Sequence, residues 1–101
     1  LMFGMGGIYV ELLKDVSFNV APINKNEAKH MVSSIKTYPI LAGIRGEDPS
    51  DINSVVDTLI KISQLVVDFP QILELDINPL VVLPDGQGCV AMDLRLTLRE
   101  E

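Results

Sequence analysis

An α+β domain with a mainly antiparallel sheet is the fold class that this 101-residue sequence predicts, on three observations. Two stretches in the middle of the chain carry apolar residues at helical three-four spacing. The last third alternates apolar and polar residues about one turn-forming run, Pro84-Asp85-Gly86-Gln87-Gly88. The β-rich segments and the helices are segregated along the chain, and the final strands are joined by a hairpin.

The elements follow in order. Leu1-Met2-Phe3 reads as the end of a buried strand that runs into Gly4-Met5-Gly6-Gly7. Residues 8–13 and 16–21 are rich in β-branched and apolar side chains around Lys14-Asp15, which predicts two short strands or one bent one, closed by Pro22. Asn24 opens the first helix, and Glu27 three residues on completes an arrangement like a capping box. Ala28, Met31, Val32 and Ile35 share one face of it, and Pro39 forbids much continuation beyond Tyr38. Residues 40–49 read as a loop containing Gly43, Arg45 and Gly46. Asp48-Pro49, with Asp51 close behind, starts the second helix as a capping carboxylate followed by Pro in the first turn. Ile52, Val55, Val56, Leu59, Ile60, Ser63 and Val66 form its buried face, and it stops before Phe69-Pro70. Residues 72–83 and 89–98 are the arms of the closing hairpin. With no repeat, linker or low-complexity tract, residues 1–101 make a single domain or a piece of a larger one.

Composition narrows the partners. Apolar residues make up 48% of the chain, enough for a real core. Fourteen acids against eight Lys and Arg leave a formal charge of −6, which argues against nucleic acid. No Trp and only three Phe and two Tyr leave little for base stacking. Cys89 is the single cysteine, so no internal disulfide forms and a reducing compartment fits. The apolar, glycine-rich start has no basic flank and is too short for a signal or a membrane span. A cytoplasmic chain is therefore expected, and a first residue Leu1 in place of Met suggests a segment of a larger protein.

The chemistry gathers on the hairpin. Alternation sends Glu74, Asp76 and Asn78 to one face of the first arm, and Asp93, Arg95 and Thr97 to one face of the second. Leu73, Leu75 and Ile77, with Met92, Leu94, Leu96 and Leu98, take the opposite face, toward the expected core. Counting outward from the turn places Asp93 across from Asn78 and Pro79. Two carboxylates, an amide oxygen and a guanidinium on one rigid patch suit Mg²⁺, a hard cation held by one or two carboxylates while phosphates and waters complete its shell. An adjacent Arg can meet phosphate oxygens in a two-pronged contact. The plainer reading is a sheet face in water. Against it, Asp and Asn are poor strand formers, and two of them in one arm need a reason.

Other residues carry paired readings. Gly4, Gly6 and Gly7 either offer main-chain N–H groups to phosphate or make a tight turn. Arg45 beside Gly46 either meets phosphate or a partner domain or sits on a surface loop. Glu11 either lines a nucleotide cleft or, on the plainer reading, faces solvent from a strand; His30 reads as a surface or boundary residue without metal-spaced partners, and Cys89 as packing.

Leu75-Asp76-Ile77-Asn78-Pro79-Leu80, followed by a turn and Ala91-Met92-Asp93-Leu94-Arg95, resembles the closing hairpin of the ATP-grasp domain of NDP-forming acyl-CoA synthetases. The beta subunit of succinyl-CoA synthetase is a more distant likeness. Phe3-Gly4-Met5-Gly6-Gly7-Ile8-Tyr9-Val10-Glu11, then Leu13-Lys14-Asp15-Val16-Ser17-Phe18 and Arg45-Gly46, resemble further blocks of the ADP-forming acetyl-CoA synthetase branch. The resemblance implies the C-terminal part of an ATP-grasp domain, with Asn78 and Asp93 as Mg²⁺ ligands. It places Asp76, where relatives carry Glu, near a phosphoryl group passed to a phosphohistidine, and lets Arg95 steady phosphate. The implied reaction converts acyl-CoA, ADP and phosphate to a carboxylic acid, CoA and ATP by way of acyl phosphate. It implies further that the residues holding adenine, the CoA-binding portion and the phosphorylated His lie outside this chain. The segment alone is then expected to be inactive, and the intact protein to be a homo- or hetero-oligomer without nucleic-acid or membrane partners. Two other readings stand beside it: a synthetase-like region fused to an acetyltransferase domain, and a non-catalytic acidic interaction domain.

Overall fold

A computed structural model describes residues 1–44 and 46–100. Arg45, singled out above, lies outside the described residues. The element order is β1 (Met2–Gly4), α1 (Ile8–Glu11), β2 (Val16–Phe18), α2 (Lys25–Ser34), α3 (Tyr38–Ala42), α4 (Ile52–Asp68), β3 (Ile72–Ile77), β4 (Leu80–Val82), β5 (Cys89–Ala91) and β6 (Leu94–Leu98).

The core forms where the three-four spacing places it. Asn24 and Glu27 close a full capping box: the Glu27 N–H donates to Asn24 Oδ1 at 2.8 Å, and the Asn24 N–H to Glu27 Oε1 at 3.0 Å. The helix they start buries Ala28, Met31 and Val32 against Val55, Val56 and Leu59 of α4. Burying each of the larger of these side chains contributes about 1.5–3 kcal/mol. Ser63 also lies on this buried face, and its hydroxyl accepts the Ile23 N–H at 2.8 Å, so no polar atom is stranded there.

Three expectations need correction. Residues 8–11 form a helical turn in place of a strand. Gly7, at φ 55°, turns the chain, and its carbonyl accepts from the N–H groups of both Val10 and Glu11. With those N–H groups used locally, the β-branched side chains have no ladder to join. Residues 38–42 form α3 where a loop was expected, because Pro39 stands in the first turn, where its missing N–H costs nothing. The second long helix is capped by Asp51, not Asp48, and Pro49 stays outside it: Asp51 Oδ1 accepts the Ser54 N–H at 3.1 Å. The two long helices, α2 and α4, are thus joined through the short α3, and the short α1 lies before β2.

The strands make three antiparallel pairs, β1–β2, β3–β6 and β4–β5. The last two share one register, Ile77 opposite Leu94 and Leu80 opposite Ala91, so they are halves of one long hairpin. At the break the Asn78 N–H donates to the Asp93 carbonyl at 3.1 Å and the Met92 N–H to the Pro79 carbonyl at 3.0 Å. Pro79 has no N–H to return, which interrupts the ladder there. The turn end is fastened to the start of α4: the Asp51 N–H donates to the Leu83 carbonyl and Asp51 Oδ2 accepts the Gly88 N–H, both at 2.8 Å.

The apolar face of β3–β6 corrects a fourth expectation. Leu75 and Ile77 are half-buried, but Leu94, Leu96 and Leu98 are 52, 49 and 53% exposed. The core is built by α2, α3 and α4, with Phe3 of β1 and Leu80 and Val82 of β4 packed against it, and this leucine row stays outside it. Among the described residues, no helix is long and apolar enough to cross a membrane.

Candidate functional site

Asp76 sits directly opposite Arg95 in the β3–β6 ladder, and one step on Asn78 faces Asp93 through the main-chain bond already described. Alternation along each arm then puts all four side chains on one face. They line a polar depression of about 160 Å³, and among the described residues no other contributes to its wall. All four are exposed, so a ligand can reach them.

A wider groove of about 670 Å³ runs beside this depression, between the glycine segment, α4 and β3. Gly6, Gly7 and Glu11 line it together with Asp76 and Asn78. A methyl group added at Gly6 would lie 4.0 Å from Asn78 Oδ1, so the glycine segment comes alongside the hairpin face. Gly6 and Gly7 have φ of 82° and 55°, which meets the tight-turn reading of both. Glu11 is exposed, as expected, but opens onto the groove.

The donor set decides which ion fits. Among the described residues, no three His, Cys, Asp or Glu side chains gather into a group that would enclose a metal. Two carboxylates and an amide oxygen in an open depression suit an ion that keeps several waters and shares its shell with phosphate. Mg²⁺ has that habit, so the residues present are compatible with it.

Elsewhere, His30 is exposed on α2 and stands apart from these residues. Cys89 is half-buried, its Sγ 3.4 Å from Thr58 Oγ1, consistent with packing. Sequence reasoning passed over Asp15, which is buried. Its Oδ1 accepts the Lys36 N–H at 2.6 Å, and its Oδ2 accepts the Thr37 N–H at 2.9 Å and the Thr37 hydroxyl at 2.6 Å. The Thr37 hydroxyl foremost, then the two main-chain N–H groups and the Lys36 charge, hold its carboxyl below the ordinary value against the opposing effect of burial. The one hint in the sequence was an acid set within a long, mainly apolar run.

Comparison with known proteins identifies the family. Residues 1–98 match the ATP-grasp domain family. The chain is 52% identical over 101 residues to acetate–CoA ligase (ADP-forming) I of Archaeoglobus fulgidus, covering 100% of this chain and 14% of that protein. It is 51% identical over 100 residues to the beta subunit of acetate–CoA ligase (ADP-forming) II of Pyrococcus furiosus, covering 98% of this chain and 42% of that subunit. The chain therefore spans less than half the length of either relative. Among solved structures, a Pyrococcus horikoshii protein superposes with a TM-score of 0.91 at 48% identity, covering 99% of this chain and 42% of that one. The dinucleotide-forming acetyl-coenzyme A synthetase 1 of Ca. Korarchaeum cryptofilum, in complex with coenzyme A and Mg-AMPPCP, gives a TM-score of 0.89 at 42% identity, covering 97% of this chain and 45% of that one. In that complex a phosphohistidine segment points towards the nucleotide-binding site. By sequence over nearly its whole length and by fold, this chain belongs to the ATP-grasp domain family.

Proposed function

We propose that residues 1–101 supply the metal and phosphate side of the nucleotide site in an ADP-forming acyl-CoA synthetase. The observation that carries this reading is the depression lined by Asp76, Asn78, Asp93 and Arg95. Asn78, through its amide oxygen, and Asp93, through its carboxylate, would hold Mg²⁺, which neutralises charge on nucleotide phosphates. Arg95 contributes a planar pair of donors for phosphate oxygens. Asp76, across the ladder from Arg95, stands where an acid can hold or orient the group that receives the phosphoryl. Gly6 and Gly7, which line the adjoining groove, would add main-chain N–H groups for phosphate.

The reaction proposed is conversion of acyl-CoA, ADP and phosphate to a carboxylic acid, CoA and ATP, through acyl phosphate and phosphohistidine. The names of relatives support it, including a 4-hydroxybutyrate–CoA ligase of Nitrosopumilus maritimus at 52% identity over 98 residues. The CoA-binding portion, the phosphohistidine and the adenine contacts would come from outside residues 1–101, in the same polypeptide or in a second subunit of a cytoplasmic oligomer.

Asp93→Asn and Asn78→Ala in the full-length protein test the assignment. Each is expected to lower nucleotide-dependent activity by on the order of a hundredfold and to raise the Mg²⁺ concentration needed for half-maximal rate. Full activity with an unchanged Mg²⁺ requirement in both variants would refute the assignment.

A further inference from the structure

Residues 5–15 leave the β1–β2 ladder at Gly4 and rejoin it at Val16, and these two residues pair to form the neck of the excursion. The excursion carries Gly6 to the side of Asn78. Apolar packing holds only its base, where Met5 lies against the core. Its helix α1 buries no side chain, and Ile8, Leu12 and Leu13 are 63, 74 and 60% exposed.

What anchors the far end of the excursion is polar. The buried Asp15 takes three hydrogen bonds on its two oxygens, all from Lys36 and Thr37 at the corner between α2 and α3. Its own N–H donates to the Tyr9 carbonyl of α1 at 2.7 Å. One residue thus grips the excursion from inside and the helical body from outside. Every partner of the carboxylate is a donor, so both oxygens must accept. An amide cannot replace it, because its NH₂ would face a donor.

We propose that Asp15 is a positioning residue for the nucleotide: by clamping the glycine excursion to the α2–α3 corner, it holds Gly6 and Gly7 beside Asn78, where their main-chain N–H groups receive phosphate. This rests on the reading of the Asn78–Asp93 depression as the nucleotide site. Asp15 touches neither phosphate nor metal, and its effect passes through the placement of the glycines.

The test compares Asp15→Asn with Ser17→Ala in the full-length protein, reading kcat, the KM for Mg-nucleotide and the thermal midpoint. Ser17 ties the same body to the neighbouring strand, its hydroxyl donating to the Met31 carbonyl at 2.7 Å, without reaching the excursion. Asp15→Asn is expected to raise the nucleotide KM about tenfold while kcat changes by less than about threefold. Ser17→Ala is expected to lower the thermal midpoint with the KM unchanged. Equal KM shifts in both variants, or none in Asp15→Asn, would overturn the proposal. If Asp15→Asn does not fold, Thr37→Val takes its place, removing one of the three donors, with a KM rise of about threefold expected and no rise overturning the proposal. Loss of activity in Asp93→Asn beside an unmoved KM in Asp15→Asn removes the positioning role alone. Full activity in Asp93→Asn removes the site and the positioning role together.

Discussion

The hydrogen bonds that hold the Asp15 carboxyl ionised set a pH dependence. In the folded chain its carboxyl lies below the ordinary value of 3.8, so the ionised form favours folding. Above that value both folded and unfolded chains are ionised and the stabilisation is fully present. As pH falls through it, the unfolded chain takes up its proton first, and the stabilisation is lost by the time the folded carboxyl also protonates. The thermal midpoint is therefore expected to decline on acidification below the ordinary value. Asp15→Asn should start lower at neutral pH and decline less, and parallel curves for the two proteins would rule out this source. Nothing within a few residues of Asp15 announces such a role, because its partners lie 21 and 22 positions away.

At the scale of elements, Asp51 joins two units that are distant in sequence. One oxygen caps α4 through Ser54, and the other accepts the Gly88 N–H from the hairpin turn. Asp51→Ala removes both, and is expected to cost about 1–2 kcal/mol for the cap and about 1 kcal/mol for the second bond. Asp51→Asn keeps a single acceptor oxygen and should fall between the two. Urea unfolding of the three proteins measures this, and a loss in Asp51→Ala below about 0.5 kcal/mol would show that water replaces both bonds. The helix start was legible within three residues, yet its cap was not. Asp48 and Asp51 are equivalent by residue type, and the choice falls to Asp51 because its main chain also bonds to Leu83.

For the whole molecule, the determining feature is shape. The described residues extend 52 × 28 × 23 Å. The β3–β6 half of the hairpin carries its polar site on one face and uncovered leucines on the other. A two-stranded ribbon has marginal stability in water by itself. Exposed apolar rows of this kind mark surfaces that are covered in an assembly. The relatives that match are more than twice as long as this chain, which leaves material to cover it. Leu96→Cys, made in a Cys89→Ser background, is expected to react with a maleimide about tenfold more slowly in the full-length protein than in residues 1–101 alone. Equal rates would mean that the row faces solvent in both.

Local geometry let the sequence determine a good part of this protein. The capping box at Asn24, the buried faces of α2 and α4, the hairpin register and the common face of Asp76, Asn78, Asp93 and Arg95 all follow from the periods of helix and strand. Only tertiary structure decided that Gly6 comes beside Asn78 and that Asp15 is buried. The helical turn at residues 8–11 and α3 rest on local bonds, and they escaped the sequence because intrinsic preferences differ by about 1 kcal/mol or less per residue, which a few bonds outweigh. Bonds between residues far apart in the chain leave no trace in any local pattern.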